Sequence, residues 1–464
     1  MTALGLAAAA CTGEGPGPSA AASGGPPPSN AAAPAPGGEA PDSKLVVGPA
    51  GFTIDLADCP AKWSDTAGLT DTEVRIGQSY VLSGPLAPFG AVVSGMTAAF
   101  NYVNATEGGI GGRRVTLITK DDRYEAARAK DNVEELLAAG NVFAFSANGS
   151  TSNNLATYDR INDSCVPDLL VGSGHPAWGD PLNRPWVSGS ILAYPTEAAL
   201  WGRHILDALG PGATVAMLQM NNDFGASMRT SFEAQAAAHG LSLVRTAGHD
   251  PAAPSVSNEL TTLASTNADV FLAATSSTYC SQALSAIEQS TWRPKLTFLS
   301  QTCGAVQTYL KPAGRAANGV IVAAGAKDLA DRAYAEDPTV KLVREQLAAA
   351  NLDPGNSQHG NGWWNALGAV EILRNASRLP GGLTRTNVML ATRSMDWQNP
   401  LFIDGVRFVQ NGNKDSFTVE AAQLQQYRMG EGQTVGAYER IGRVIDLNGA
   451  TKNCAWDGKA CREY

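Results

Sequence analysis

The chain has 464 residues, 44% hydrophobic and 17% charged, with a formal net charge of -9 and a pI near 5.2. Its length exceeds one ordinary domain, so two cores are the prior expectation. The acidic balance and the lack of any clustered Lys and Arg argue against a nucleic-acid partner, whose phosphates need a cationic patch.

In chain order, Met1 to Ala10 is a short apolar run ending in Ala8-Ala9-Ala10-Cys11. This is similar to a bacterial lipoprotein cleavage box with Cys11 as the acylated residue. Ala8 stands where the box usually carries Leu, and a positive n-region is missing, so an alanine-rich disordered start is the alternative. Residues 1–11 are therefore expected to be a signal-peptide remnant with its lipobox. Residues 12–57, rich in Gly, Pro, Ala and Ser over most of their length, are expected to form a disordered tether because they lack the large apolar residues that build a core. No later stretch has the roughly 18 consecutive apolar residues that cross a bilayer.

Val74 to Asp122 spells a complete strand, helix, strand unit. Val74 to Ser79 is a short apolar run, and Gly84, Pro85 and Pro88 break it. Val92, Val93, Met96, Phe100 and Val103 then recur at helical spacing until Gly108 to Gly112 stops the helix, and Val115 to Thr119 is the next strand. A crossover helix of this kind implies parallel pairing and a sheet covered on both faces. The alternation continues with a helix over Tyr124 to Ala139, a strand over Val142 to Phe145, a polar loop Ser146 to Asn154 and a strand over Asp168 to Val171. Trp186 to Tyr194 is expected to cross to a second lobe, whose strands are Thr214 to Met220, Leu241 to Thr246, Asp269 to Ala274 and Leu296 to Leu299. Gly319 to Ala324 is expected to lead back. Helices over Pro338 to Ala350, Gly360 to Ser377 and Thr384 to Met395 are assigned to lobe one, and Leu401 to Phe408, Phe417 to Leu424 and Val435 to Val444 alternate as β-structure. The expected boundaries are 58–191 and 323–425 for lobe one, 192–322 for the first part of lobe two, and 426–464 for a hinge return and lobe-two closing segment.

Setting Cys11 aside leaves Cys59, Cys165, Cys280, Cys303, Cys454 and Cys461, an even number that suits an oxidising compartment. Chain proximity pairs Cys454 with Cys461 and the expected strand ends pair Cys280 with Cys303, which leaves Cys59 for Cys165. Buried free thiols are the alternative. The chain has no Cys-x-x-Cys, no Gly-x-Ser-x-Gly elbow, no His-Glu-x-x-His and no Walker-type loop, and its histidines lack metal spacing, so nothing points to an enzyme, a metal or another cofactor.

The segments SGPLAPFG, GGIGGRRVTLITKDD and VPDLLVGSG closely resemble the first ligand-side loop, the tight turn with second strand, and the next strand with its ligand loop in periplasmic binding proteins of the leucine/isoleucine/valine class. These are the type I solute-binding proteins of ABC importers. The resemblance runs over residues 72 to 445. It implies an α/β fold of two doubly wound parallel-sheet lobes joined by a multi-crossing hinge, a clamshell closing on a small-molecule solute, with permease and ATPase subunits as partners. It also implies a monomer outside the cytoplasm, touching the membrane only through a lipid anchor.

Residue by residue, the resemblance implies that Ser150 binds a ligand carboxylate beside a helix N-terminus, and that Ser173, Gly174 and His175 form the next ligand loop. His175 replaces the usual threonine. Phe89 and Phe224 take positions of aromatic rings that meet the ligand's side chain, without a tyrosine hydroxyl. Thr302 stands where an acidic residue usually holds the ligand ammonium, and Ser276 replaces an aromatic. Loss of that acid argues against a plain α-amino acid unless Asp223 substitutes, because a buried unpaired ammonium is costly. Read without the resemblance, Ser150 is a helix cap, His175 a hydrogen-bonded histidine, Asp121-Asp122 a cap of the following helix, and at least one of Trp363 and Trp364 core. A sensing module acting through a separate membrane receptor is the alternative function, and a hydrolase with an unrecognised site a weaker one.

Overall fold

The computed structural model describes residues 44–463. Cys11, the rest of the expected leader and residues 12–43 of the expected tether fall outside them. The described chain opens on a small hairpin, β1 (Leu45–Val47) and β2 (Thr53–Asp55), inside the span expected to be a tether. Residues 44–57 are ordered because this hairpin buries Phe52 and Ile54, and the Arg393 guanidinium lies 5.4 Å over the Phe52 ring.

Lobe one is a five-stranded parallel sheet built from β3 (Glu73–Tyr80), α1 (Ala91–Glu107), β4 (Arg114–Asp121), α2 (Ala126–Ala138), β5 (Ala144–Ser146), α3 (Thr151–Asp163), β6 (Asp168–Val171) and β7 (Val187–Gly189). Its strand order is β4-β3-β5-β6-β7. The apolar stripe read from the sequence is the buried face of α1, with Val92, Met96, Phe100 and Val103 all within the core, and Gly108 ends the helix in the left-handed conformation at φ 70°. Trp186 to Tyr194 is more than a crossover, since β7 pairs with β6 as the fifth strand.

Lobe two comprises α4 (Tyr194–Leu209), β8 (Thr214–Met220), α5 (Asp223–His239), β9 (Ser242–His249), α6 (Ser257–Ala264), β10 (Val270–Ala274), α7 (Thr278–Gln289), β11 (Leu296–Leu299), a short α8 (Lys311–Ala313) and β12 (Ile321–Ala324). The chain then returns to lobe one for α9 (Pro338–Ala349), α10 (Ser357–Arg378), α11 (Arg385–Arg393) and the two-residue strands β13 (Asp396–Trp397) and β14 (Phe408–Val409). It goes back to lobe two as β15 (Ala421–Arg428) and β16 (Ala437–Asp446), giving a seven-stranded sheet of order β16-β15-β12-β11-β10-β8-β9 with its last two strands antiparallel. Each parallel set therefore reverses its order at one point, between β3 and β5 and between β8 and β10. Ligand crevices in open α/β sheets form at such points, outside the carboxyl ends of the strands.

Three expected features differ. Leu401 to Phe408 is mostly turn: Leu401 N–H donates to Asn399 Oδ1, and Phe402 and Val406 N–H groups donate to Asn399 and Ile403 carbonyls, so the alternating apolar side chains are buried by packing around Trp364 rather than by a sheet ladder. The expected boundaries cut through strands, because β12 runs past 322 and β15 begins before 426, both in the lobe-two sheet. Finally, the closing hairpin β17 (Cys454–Trp456) and β18 (Cys461–Glu463) packs on lobe one, where Trp456 meets the His175 ring edge-on at 4.6 Å.

The disulfides are Cys59–Cys165, Cys280–Cys303 and Cys454–Cys461, as expected. Among the described residues no helix is long and apolar enough to cross a membrane, and no cluster of His, Cys, Asp and Glu could hold a metal.

Candidate functional site

The carboxyl ends of the strands converge on the cleft between the lobes. After β3 the chain turns through the loop carrying Phe89 into α1. After β4, Arg123 and Tyr124 adopt positive φ of 52° and 64°, a conformation that non-glycine residues hold only when their surroundings enforce it. Asp122 is what enforces it: its buried carboxylate accepts from Tyr124 N–H at 2.8 Å and Ser79 Oγ at 3.0 Å. Asp121 accepts from the Leu82 and Arg123 amides. The pair thus shapes this turn, and α2 follows an N-cap at Glu125 that makes no side-chain capping bond. The turn brings the Tyr124 hydroxyl across the cleft, where it accepts from Asn222 Nδ2 at 3.3 Å. Burial pushes the Tyr124 phenol up to about 12, so it stays protonated at neutral pH.

After β5, Ser150 sits at φ 70° and caps α3, its hydroxyl accepting from Asn153 N–H at 3.4 Å. Asn154 Nδ2 fastens the loop by donating to the carbonyls of Asn148, Gly149 and Ser150. The first-turn amides of α3 have no helical acceptor and share the positive end of the helix dipole, which suits an anion. Beside them Thr151 Oγ1 lies 2.8 Å from Ser173 Oγ and 3.2 Å from the Tyr194 hydroxyl. Gly174 is needed for this cluster, since a Cβ there would stand 2.4 Å from the Leu192 carbonyl and 2.7 Å from the Tyr194 ring. Tyr194 in turn packs on Phe224 with ring centroids 5.3 Å apart. On the lobe-two side, Thr302 Oγ1 donates to the Thr275 carbonyl at 3.0 Å, and the Cys280–Cys303 bridge ties its loop to the first turn of α7.

A cavity of about 70 Å³ is lined by Phe89, Ser150, Phe224, Ser276 and Thr302 together with Tyr80, Tyr124, Thr151 and Tyr194. No charged side chain is in its lining. Ser173 reaches it only through Thr151 and Tyr194, and Gly174 acts as their spacer. His175 is outside: its Nδ1 accepts from Ala177 N–H at 3.2 Å, capping the turn Pro176–Gly179, and burial holds its pKa down near 4. Asp223 is exposed in the first turn of α5 and lines neither this cavity nor the larger one beside it. Tyr80, Tyr124, Thr151 and Tyr194 were missed by sequence reasoning. The signals available were the tyrosine after Asp-Asp-Arg at a strand end and the Tyr-Pro that opens α4.

The larger cavity, of about 190 Å³, opens from the same walls and shares Tyr80, Phe89, Gly172 and Thr302 with the smaller one. It reaches the floor of the cleft, where Gln301, Asp328, Asn365 and Trp364 contribute to its lining. Trp363 and Trp364 are both buried, and only Trp364 faces this space.

A family model described as periplasmic binding protein matches residues 73–431. The chain belongs to the periplasmic binding protein family. Three solved structures share the fold of this binding protein. A branched chain amino acid ABC transporter protein from Thermus thermophilus with bound valine aligns at TM-score 0.72 and 17% identity, covering 82% of this chain and 97% of that one. A fatty acid ABC transporter substrate-binding protein from Thermomonospora curvata aligns at 0.69 and 18%, covering 83% and 96%. A possible leucine/isoleucine/valine-binding protein from Rhodopirellula baltica SH 1 aligns at 0.67 and 17%, covering 82% and 98%. No curated protein sequence matches. The two-lobed α/β architecture of the binding protein is thus the type I periplasmic-binding-protein fold, shared with binding proteins of the leucine/isoleucine/valine class.

Proposed function

We propose that this protein is the extracytoplasmic solute-binding component of an ABC importer, which captures a small, partly apolar carboxylate or amide between its lobes and releases it unaltered to a permease with its ATPase. The observation that carries this reading is the convergence of Ser150, Thr151 and Tyr124 from lobe one with Phe224, Ser276 and Thr302 from lobe two on one uncharged cavity at the N-terminus of α3. A solute bridging both walls favours the closed state by its differential contacts there. The neighbours that carry valine and fatty acid in their names share this fold and bracket the chemistry. Acylation at Cys11 and a monomeric state complete the proposal.

A thermal-shift screen of amino acids, aromatic acids, amides and urea tests it, since a ligand that binds only the folded form raises the midpoint. For a carboxylate hit, Ser150→Ala is expected to weaken binding by roughly 1 to 3 kcal/mol. Unchanged affinity would reject that role for Ser150, and chemical turnover of the hit would reject a pure binding function.

A further inference from the structure

The two cavities differ in size, about 190 against about 70 Å³, and the difference speaks to the length of the solute. The small one sets the hydroxyls of Ser150, Thr151 and Thr302 at the N-terminus of α3 against the rings of Phe89 and Phe224. The larger one runs along the cleft floor, and three of the chain's four crossings between the lobes line it: Ser190 to Leu192, Ala323 to Asp328, and Val419. Its walls include Val92, Ile191, Val322, Trp364 and Phe402. Its two charged residues are already engaged. Asp328 accepts from the Val306 and Ala330 amides and from Ser357 Oγ, and Lys327 Nζ pairs with Asp337 at 2.8 Å.

What remains is a row of neutral amides on one face of α10. Asn361 Nδ2 donates to Gln358 Oε1 at 3.1 Å, Trp364 Nε1 donates to Asn361 Oδ1 at 3.1 Å, and Asn365 Nδ2 donates to the Asn361 carbonyl at 2.9 Å. Each acceptor in the row is used except Asn365 Oδ1, which has no hydrogen-bond partner among the described residues. Asn365 is 4% exposed and lines the cavity. Buried acceptors are almost always satisfied, and here a ligand donor can do so. A plain α-amino acid leaves this chamber unfilled and finds no free acid for its ammonium in either lining.

We propose that the solute is an elongated carboxylate with an apolar body and a hydrogen-bond donor at its far end, its carboxylate at α3 and its donor on Asn365 Oδ1. This rests on the solute-binding reading above and narrows it.

Titration calorimetry of the whole protein with valine, hexanoate, octanoate, ω-hydroxyoctanoate and para-hydroxyphenylpropanoate tests the proposal, and the last two separate an aliphatic body from an aromatic one. One of the donor-bearing acids is expected to bind at least about tenfold tighter than octanoate, the scale of one buried hydrogen bond, and octanoate tighter than valine. Asn365→Leu is expected to remove the donor preference while leaving octanoate affinity within about twofold. Ala324→Leu, which fills the chamber, is expected to weaken the long acids and spare valine. Equal affinity for short and long acids, insensitive to both variants, would overturn the proposal and leave the importer reading intact. Should none of these carboxylates bind while an amide or amino acid from the wider screen does, the proposal falls alone. Should nothing in either set bind the folded protein, both fall.

Discussion

Gly362→Ala tests the packing that sets the cleft floor. On α10, a Cβ at Gly362 would lie 1.9 Å from the Val92 carbonyl oxygen and 2.6 Å from the Met96 amide of α1, while on α1 a Cβ at Gly95 would lie 2.1 Å from the His359 carbonyl. These partners are main-chain atoms of helices, so no rotamer change can relieve the contact and one helix must move by more than an ångström. Overpacking of this kind costs about 1 to 3 kcal/mol or more, and displacing a whole helix places it at the top of that range. Alanine gains about 1 kcal/mol over glycine in helix propensity, leaving a net loss of about 2 kcal/mol. Equilibrium urea unfolding followed by circular dichroism should show a lower midpoint with an unchanged slope. Asn101→Ala, on the exposed side of α1, should stay within about 0.5 kcal/mol of the parent. Stability equal to or above the parent for Gly362→Ala would refute the argument, because it would mean that propensity outweighs contact and the helices are not held this closely.

Other perturbations address the carboxyls, the bridges and the cleft. Burial pushes Asp168 and Glu420 each up to about 7 and Glu197 up to about 8. Folded values above the unfolded ones mean that the native state keeps protons the unfolded chain releases, so this stability is full below the usual carboxylate range and is lost as pH rises through about 7 to 8, at up to about 1.4 kcal/mol per pH unit for each group. Asp168→Asn, which keeps an acceptor for Asn148 Nδ2, should flatten the melting-temperature slope between about pH 5 and 7, and an unaltered slope would contradict the assignment. By loop entropy, with sequence separations of 106, 23 and 7, replacing both cysteines by serine should cost about 4.8 kcal/mol for Cys59–Cys165, about 3.4 for Cys280–Cys303 and about 2.4 for Cys454–Cys461. A different rank order in urea melts would show that strain or residual structure dominates. Tyr124→Phe removes a hydrogen bond across the cleft worth about 1 kcal/mol. The unliganded variant should therefore open more readily and give a larger radius of gyration in X-ray scattering, and identical curves would argue that this contact does not bias closure.

The βαβ units were legible because their signals are local: the stripe from Val92 to Val103, the glycines after α1 and the buried runs of β3, β8 and β10 each lie within a few turns of chain. Ser150, Phe224, Ser276 and Thr302 came from the family resemblance, and the structure sets each of them after a strand end that faces the cleft. Tyr124 and Tyr194 were not legible, since a positive-φ turn held by Asp122 and a stack on Phe224 are products of tertiary contact. His175 was misplaced for the same reason, because Trp456 and the Ala177 amide occupy its two sides. The chamber floor draws on α10, where the sequence reading placed at least one of Trp363 and Trp364 in the core and singled out neither Asn361 nor Asn365, whose role depends on the α10 face that the fold turns toward the cleft.

The terminal hairpin has a mechanical consequence. After β16 the chain turns, its Gly449 and Thr451 amides donating to the Glu420 carboxylate and Thr451 Oγ1 lying 2.8 Å from Thr196 Oγ1, before Trp456 seats against His175. The polypeptide therefore passes once more from lobe two, where β16 lies, to lobe one. This further covalent path between the halves adds to the others that join them, and it limits how far the two can travel relative to one another.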